Sequence, residues 1–153
     1  MIYIIGTRHS LQVWTDLVRK GGSLDASLQE VEAFENYLLN SAQSLKADII
    51  AEEASDESVA AYTGGSSVPK DVAAQLGIEH LFCDPDTAQR QSIGKVGEKL
   101  HAAREAVWLA RLEGCDPNNK SVIFVCGANH VNAFKDRLHS KQILAEIYCA
   151  DWS

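Results

Sequence analysis

The stretch SVIFVCGANH, residues 121–130, decides how the fold of this chain is interpreted. Its first part, Ser121–Cys126, is a mostly apolar run that predicts a buried strand. Gly127 ends the strand, and a helix predicted from Ala128 to about Ser140 carries His130 near its start. Open α/β sheets bind ligands beyond the carboxyl ends of their strands, so His130 lies where a ligand-binding group is expected.

The same pattern occurs at the beginning of the chain. The apolar run Ile2–Ile5 predicts a central strand, and the residues Gly-Thr-Arg-His at positions 6–9 follow it directly. The chain therefore has two Gly-x-x-His motifs, each immediately after a predicted strand. A glycine at such a position lets the backbone turn tightly and approach a ligand closely.

Three further strands are predicted, over Ala47–Ala51, Ile78–Cys83 and Gln142–Cys149, the last with the alternation of a half-exposed edge strand. Helical patterns lie between the strands, from position 23 or 25 to about Leu45, at Ser55–Tyr62 for a turn or two, at Pro69–Leu76 and at Val96–Leu112, while residues 10–20 form a short helix or an ordered loop. This alternation predicts one α/β domain over residues 1–153, with a mostly parallel sheet of about five strands and helices on both faces.

Composition narrows the classes of function. The 153 residues are 46% apolar and 23% charged, an ordinary globular balance. The formal net charge of −7 and the lack of a basic stripe argue against nucleic acid and anionic membranes as partners. No Gly-x-Gly-x-x-Gly follows a strand and no P-loop motif occurs, so no nucleotide cofactor is expected.

The cellular location is also an expectation from the sequence. The start of the chain has no basic segment followed by a long apolar run, so neither a signal peptide nor a membrane span is predicted. The four cysteines form no C-x-x-C pair and lie mostly in apolar runs, which favours buried free thiols in a reducing compartment. We therefore expect a cytoplasmic protein.

Polar side chains follow four of the predicted strands. Besides the two histidine motifs, Glu52-Glu53 follows the second strand and Asp84-Pro85-Asp86 follows the third. In a parallel sheet these ends lie on one edge, together with Arg8 and Arg90. Neighbouring residues of an extended strand point to opposite faces, so we favour Glu53 for the site and leave Glu52 open.

Imidazole and carboxylate groups together suit Zn, Mn, Co or Fe better than Ca or Mg. An ion held by three such ligands with one open position lowers the pKa of a bound water toward ~7 and supplies a hydroxide nucleophile. Each strand-end residue alone also fits a plain structural role, such as a helix start or a turn. Their joint placement at four strand ends is what favours a site.

The other histidines are assigned structural roles. His80 lies inside the third strand. His101 lies with Arg104 and Glu105 at helical spacing, which suits a site but is interpreted as a solvated helix face.

These residues resemble the superfamily that contains the TraB/PrgY proteins, the Tiki proteases, the erythromycin esterases and ChaN. The matching features are the Gly-Thr-Arg-His motif at 6–9, the glutamate after the second strand, the Gly-Ala-Asn-His motif at 127–130, and an Asp…Thr-x-x-Arg element formed by Asp84, Thr87 and Arg90. The resemblance covers residues 2 to 131. The chain is shorter than is usual in this superfamily and lacks the insertions that shape its substrate clefts.

The resemblance implies a hydrolase-like site. Tiki-type members are metal-dependent peptidases, erythromycin esterases activate water with a histidine, and ChaN-like members bind haem, for which this sequence has no obvious axial ligand. By analogy, His9, Glu53 and His130 are expected to hold a metal or activate water. Arg90, held by Asp84, is expected to stabilise an oxyanion or to grip a substrate carboxylate.

The resulting hypothesis is a small hydrolase that depends on Mn, Co or Zn and cleaves a peptide, amide or ester bond in a peptide or a small molecule. His9, Glu53, Arg90 and His130 are the expected catalytic residues. Substrate contacts are expected from Arg8, Asp84 and Asn129. The alternative is a binding module that uses the same pocket without turnover, for a small anionic ligand or a protein partner, including a second copy of the chain.

Overall fold

All five predicted strands pair in one parallel sheet. A computed structural model describes residues 1–13, 26–63, 66–94 and 96–153. The strands are β1 (Ile2–Thr7), β2 (Ile49–Glu52), β3 (Glu79–Phe82), β4 (Val122–Gly127) and β5 (Ala145–Trp152). Their order across the sheet is β3-β2-β4-β1-β5, and every neighbouring pair is parallel. The predicted sheet is confirmed, and β5 is an edge strand as expected.

Helices cover both faces of this sheet. They are α1 (His9–Val13), α2 (Leu28–Ser44), α3 (Asp56–Thr63), α4 (Val68–Leu76), α5 (Thr87–Ile93), α6 (Glu98–Glu113) and α7 (Val131–Ser140), the last preceded by a 3₁₀ turn at Ala128–His130. Buried side chains of α2 and α4 pack on one face, and those of α6 and α7 pack on the other. None of the described helices is long and apolar enough to cross a bilayer.

The order of the strands creates a crevice beside β4. The chain leaves β1 and β2 toward the layer of α2 and α4, whereas it leaves β4 toward the layer of α6 and α7. Since β4 lies between β1 and β2, the loops at its carboxyl end and at those of its neighbours turn to opposite faces. Such switch points are where open α/β sheets bind their ligands.

Several helices begin at residues other than those predicted, because local contacts determine where they start. Helix α2 begins at Leu28 because Ser27 and Glu30 form a capping box, in which the Ser27 side chain accepts from the Glu30 N–H. The earlier predicted start lies outside the described residues, as does most of the segment predicted at 10–20. Val96 is 84% exposed and precedes α6, so the pattern predicted from this residue began too early.

The last strand begins three residues later than predicted. Gln142 has a φ of 60° and donates its N–H to His139, so residues 141 and 142 form the turn that follows α7. The apolar alternation begins at Gln142, but the strand itself begins only at Ala145. The pairing of β5 with β1 continues to Trp152, whose ring packs against Phe34 of α2.

Glycine is required at position 6 because the neighbouring strand β5 approaches it closely. The backbone conformation does not require glycine there, since the φ of Gly6 is not positive. The pairing of β5 with β1 shifts register twice, between Ile4 and Ile5 and between Ile5 and Thr7. This irregularity brings the carbonyl of Ala150 against Gly6. A methyl group on Gly6 would collide with that carbonyl and would lie 2.6 Å from Cγ2 of Val131.

Replacing Gly6 with alanine is therefore expected to lower the free energy of unfolding by about 1–3 kcal/mol, the usual cost of overpacking a buried site. Urea unfolding followed by circular dichroism measures the change. Gly114→Ala is the matched control, because a methyl group there has its nearest neighbour at 3.3 Å, a carbonyl oxygen at a helix end. Equal stability losses in the two variants would contradict the assigned collision.

Candidate functional site

Five of the seven predicted site residues line one cavity. It has a volume of about 290 Å³ and is lined by His9, Glu53, Arg90, Arg104, Gly127, Asn129 and His130. A second cavity, of about 510 Å³, shares three of these residues, His9, Gly127 and Asn129, and extends along Arg8 and Asp151. The histidines of the two motifs thus lie in the same cleft, 121 positions apart in sequence. His9 and Asn129 are exposed in it.

The two consecutive glutamates have different surroundings. The Glu53 carboxylate is 4% exposed and accepts hydrogen bonds from the Gly127 N–H at 2.7 Å and from Nη2 of Arg104 at 2.7 Å. The Glu52 carboxylate is fully buried and instead contacts Nε2 of His80 at 2.7 Å and the hydroxyl of Ser67. Glu53 therefore lines the cavity, in agreement with the preference drawn from strand geometry, and Glu52 belongs to a separate buried pair.

The backbone at Gly127 does not show the need for glycine that was predicted for the motif. Its φ is −60°, which any residue adopts, so no unusual turn requires glycine here. A methyl group at this position would lie 3.4 Å from Oε2 of Glu53 and 3.7 Å from Cδ2 of His130. Both distances are ordinary van der Waals contacts, so a methyl group would fit and the approach of Glu53 to the backbone does not require glycine.

Asp84 connects the arginines of the site. Its carboxylate is 1% exposed; Oδ1 accepts from Nε of Arg104 at 2.8 Å and from the indole N–H of Trp108 at 2.9 Å. Oδ2 accepts from Nη2 of Arg90. With both oxygens engaged, Asp84 positions Arg90 and Arg104. It does not line the smaller cavity but lines a separate one of about 330 Å³, so its contact with substrate stays a prediction.

Arg104 is a site residue that sequence reasoning missed. Its side chain is 11% exposed and lies between Glu53 and Asp84, with its guanidinium carbon 5.3 Å from the centre of the Trp108 ring. Burial acts to lower the Arg104 pKa, but the hydrogen bonds and charges of the two carboxylates outweigh it and the pKa is raised. Arg104 therefore stays cationic in the cavity wall.

The solvated-face interpretation of this part of α6 was wrong for Arg104 and Glu105, whereas His101 is exposed, with its ring centre 5.2 Å from that of His130. Arg104 and Glu105 lie four and three positions before the buried Trp108, so they share its inward side of the helix. That spacing was visible in the sequence. Charged residues on a helix usually face the solvent, but Arg104 and Glu105 are buried because each has charged partners.

Glu105 orients the histidine of the second motif. This carboxylate is 6% exposed, and its Oε1 lies 2.9 Å from Nδ1 of His130 while its Oε2 accepts from Nε of Arg137 at 3.3 Å. An ionised carboxylate only accepts hydrogen bonds, so Nδ1 of His130 carries the proton. In the neutral ring Nε2 then has the free lone pair, and it lies 3.7 Å from Oε1 of Glu53.

The same contact changes the acidity of both groups. The hydrogen bond from Glu105 raises the His130 pKa above its ordinary 6.5; burial opposes this shift and the charge of Glu53 adds to it. Burial acts to raise the Glu105 pKa, but the hydrogen bond and charges of His130 and Arg137 outweigh it and the pKa is lowered. The pair therefore favours an imidazolium beside a carboxylate.

The stability of the fold should depend on pH through this pair. Because the His130 pKa is raised on folding, its stabilising contribution is complete below 6.5 and is lost as the pH rises through the higher folded value. We expect urea unfolding at pH 6, 7 and 8 to show a decline in stability that is smaller in His130→Gln. His139→Gln, in the same helix, is the control, and an identical decline in all three proteins would contradict the assignment.

The three predicted metal ligands do not form a ligand set in this arrangement. Among the described residues, no three His, Cys, Asp or Glu side chains are grouped closely enough to hold an ion. Both oxygens of Glu53 are already engaged, one of them by the guanidinium of Arg104. A cation on Glu53 would have to displace or tolerate that positive charge. A metal at His9, Glu53 and His130 stays a prediction.

Arg8 lines the larger cavity and is tied to helix α2. Its Nη2 lies 2.6 Å from Oε1 of Glu30, the residue that also closes the capping box. This ion pair connects the first Gly-x-x-His motif to the helical layer opposite α6. The larger cavity therefore has one wall from each layer.

The chain was compared with family models, curated proteins and solved structures, and none of them matches it. The resemblance drawn from the two histidine motifs therefore stays a prediction. Functional conclusions rest on the geometry of the site.

Proposed function

We propose that this protein is a hydrolase that cleaves an ester, amide or peptide bond with His130 as its general base. The observation that carries the proposal is the contact of Nδ1 of His130 with the buried Glu105, which leaves Nε2 as the proton acceptor beside the cavity. A histidine with a raised pKa that is held by a carboxylate is the usual arrangement for general base catalysis.

In the proposed reaction, Nε2 of neutral His130 takes a proton from a water molecule as the water oxygen bonds to the carbonyl carbon. The carbonyl electrons move onto its oxygen, which gives a tetrahedral oxyanion. When the oxyanion collapses, the bond to the leaving group breaks, and the leaving oxygen or nitrogen takes the proton from Nε2. The products are a carboxylic acid and an alcohol or amine, and His130 is neutral again.

Arg104 is the group best suited to stabilise the oxyanion. Its Nε and Nη2 are held by Asp84 and Glu53, and no hydrogen bond of Nη1 occurs in the described parts of the chain. A guanidinium fixed before the reaction needs no reorganisation when negative charge develops. The adjoining cavity of about 510 Å³ has room for the remainder of a small molecule or peptide.

A panel of nitrophenyl esters, amides and short peptides tests the proposal. We expect hydrolysis by the wild type and a lower rate in Glu53→Ala, since this change frees Arg104 and removes the carboxylate next to Nε2 of His130. Glu52→Ala is the matched control for folding, because Glu52 is equally buried but lies outside the cavity. Undetectable turnover by well-folded wild type across the panel would overturn the proposal.

The competing function is a binding module without turnover, which the two guanidinium groups in one small cavity also favour. The two functions differ in one result. A binding module retains its ligand unchanged, whereas a hydrolase releases an acid and an alcohol or amine, which chromatography separates.

Metal dependence has a separate test. The engaged oxygens of Glu53 lead us to expect that hydrolysis persists in excess EDTA and that added Mn, Co or Zn does not increase it. The measurement is the initial rate with and without chelator, together with the metal content of the purified protein. Activity that EDTA abolishes and one of these ions restores, with bound metal lost in His9→Ala and His130→Ala, would establish the three-ligand site instead.

A further inference from the structure

We infer that Arg90 forms a binding site for a carboxylate of the substrate, so that the preferred substrates are esters or amides whose acyl part carries a second, anionic group. Arg90 lines the same cavity as His130 and comes from helix α5, on the far side of Asp84 from Arg104. The inference rests on the proposed hydrolysis for the position of the reacting carbonyl. The binding of the anion is measured independently of turnover.

The hydrogen bonds of Arg90 leave one edge of its guanidinium unused. Nε donates to the carbonyl of Pro85 at 3.1 Å, and Nη2 donates to Oδ2 of Asp84. No acceptor for Nη1 occurs among the described residues. The two bonds fix the orientation of the planar guanidinium. Its remaining N–H groups lie side by side and can donate to both oxygens of one carboxylate.

Arg90 and Arg104 differ in exposure, which separates their roles. The side chain of Arg90 is 43% exposed, whereas that of Arg104 is 11% exposed and is held by two carboxylates. A buried guanidinium held in place by two carboxylates suits a charge that appears only during the reaction. An exposed guanidinium with an unused edge suits a charge that arrives with the substrate from solution.

The nearby carboxylates balance the charge of the two arginines, but they do not use all of the arginine donors. Glu53 is paired with Arg104 and with the N–H of Gly127, and Asp84 is shared by both arginines. Two guanidinium groups therefore face two carboxylates, and every one of the four carboxylate oxygens already accepts a hydrogen bond. The N–H groups that remain available in this wall are those of the arginines, so the wall favours ligands that accept hydrogen bonds.

Helix α5, which carries Arg90, packs no side chain into the core. It has no buried residue and is held by polar contacts: its capping box of Asp86 and Gln89, the bond of Arg90 to Asp84, and the bond of Arg111 to Gln89. A helix that packs no apolar side chain contributes little to the core. Its most specific contribution is to carry Arg90 to the cavity.

The first experiment compares two esters of equal reach and different charge, mono(4-nitrophenyl) succinate and its methyl ester. We expect the wild type to prefer the charged ester by about tenfold in kcat/KM, the size of one charge-assisted contact. Arg90→Gln should remove the preference, mainly through a higher KM for the charged ester. Arg90→Lys should retain part of it, and Lys99→Gln, which removes an exposed charge outside the cavity, should leave it unchanged.

The second experiment is a calorimetric titration with succinate, which requires no turnover. We expect saturable binding to the wild type and to Lys99→Gln, and binding about tenfold weaker in Arg90→Gln. Circular dichroism of each variant confirms the fold, and Arg90→Lys serves if Arg90→Gln does not fold.

The outcomes separate this inference from the proposed function. Succinate binding without hydrolysis of either ester would support the anion site and overturn the hydrolase. Equal hydrolysis of both esters without succinate binding would overturn the anion site and support the hydrolase. An equal fall in kcat for both esters in Arg90→Gln would overturn the anion site by assigning Arg90 to the oxyanion.

Discussion

Replacing Asp84 with alanine is expected to lower the free energy of unfolding by about 3–5 kcal/mol, the usual result of removing one partner from a buried ion pair. The change removes the acceptor for Nε of Arg104, whose side chain is only 11% exposed, and for the indole N–H of Trp108, which is fully buried. A buried guanidinium and a buried N–H then lack their partners. The contribution of the more exposed Arg90 is small by comparison.

Urea unfolding measures this loss, and Asp86→Ala is the matched control. Asp86 lies two positions away and caps α5 at the surface, where its side chain accepts from the Gln89 N–H at 2.7 Å. Removing an N-cap of this kind costs about 1 kcal/mol. If Asp84→Ala costs no more than the control, the carboxylate does not hold the site together as described.

The largest effect on activity is expected from His130→Gln, which should lower kcat/KM by about 10²–10⁴-fold, the range of a general base contribution. Glutamine retains a hydrogen-bonding side chain but does not take up a proton at neutral pH. Because the wild-type pKa of His130 is raised by Glu105, activity should increase with pH through a value above 6.5. In Glu105→Gln this increase should begin at a lower pH, since the main cause of the raised pKa is gone.

Initial rates between pH 5 and pH 9 provide the measurement, with His139→Gln as the control. His139 is also in α7, but its Nε2 lies 3.0 Å from the carbonyl of Ala145, away from the cavity. A correctly folded His130→Gln protein with wild-type rates would exclude the base. An unchanged pH profile in Glu105→Gln would show that this carboxylate does not set the His130 pKa.

The sheet was predictable because its strands are short apolar runs bounded by turn residues. Ser121–Cys126 reads as a strand buried on both faces, and Val122–Cys126 are all fully buried. In a parallel sheet the carboxyl ends lie on one edge, so the convergence of His9, Glu53 and His130 on one cavity follows from topology. No partner contact had to be known for that prediction.

The remaining site residues depend on contacts that periodicity does not reveal. Arg104 and Glu105 are buried because Asp84, Glu53 and His130 are positioned to pair with them, and these partners lie 20 to 51 positions away in sequence. Charge alone predicts exposure for such residues. Sequence patterns indicated the edge of the sheet where the site lies, and the tertiary pairing decided which charged residues line it.

The switch beside β4, where the chain leaves neighbouring strands toward opposite faces of the sheet, has a consequence for how this cleft can diversify. His130 and the Arg104 cluster come from the layer of α6 and α7, whereas Arg8 comes from the opposite layer, where it is tied to α2. Arg104 is held by Glu53 and Asp84, whereas Arg8 is held by Glu30. Mutations near Arg8 can therefore change which substrates fit while the residues around His130 keep their geometry. New specificities can evolve in this way without rebuilding the reactive centre.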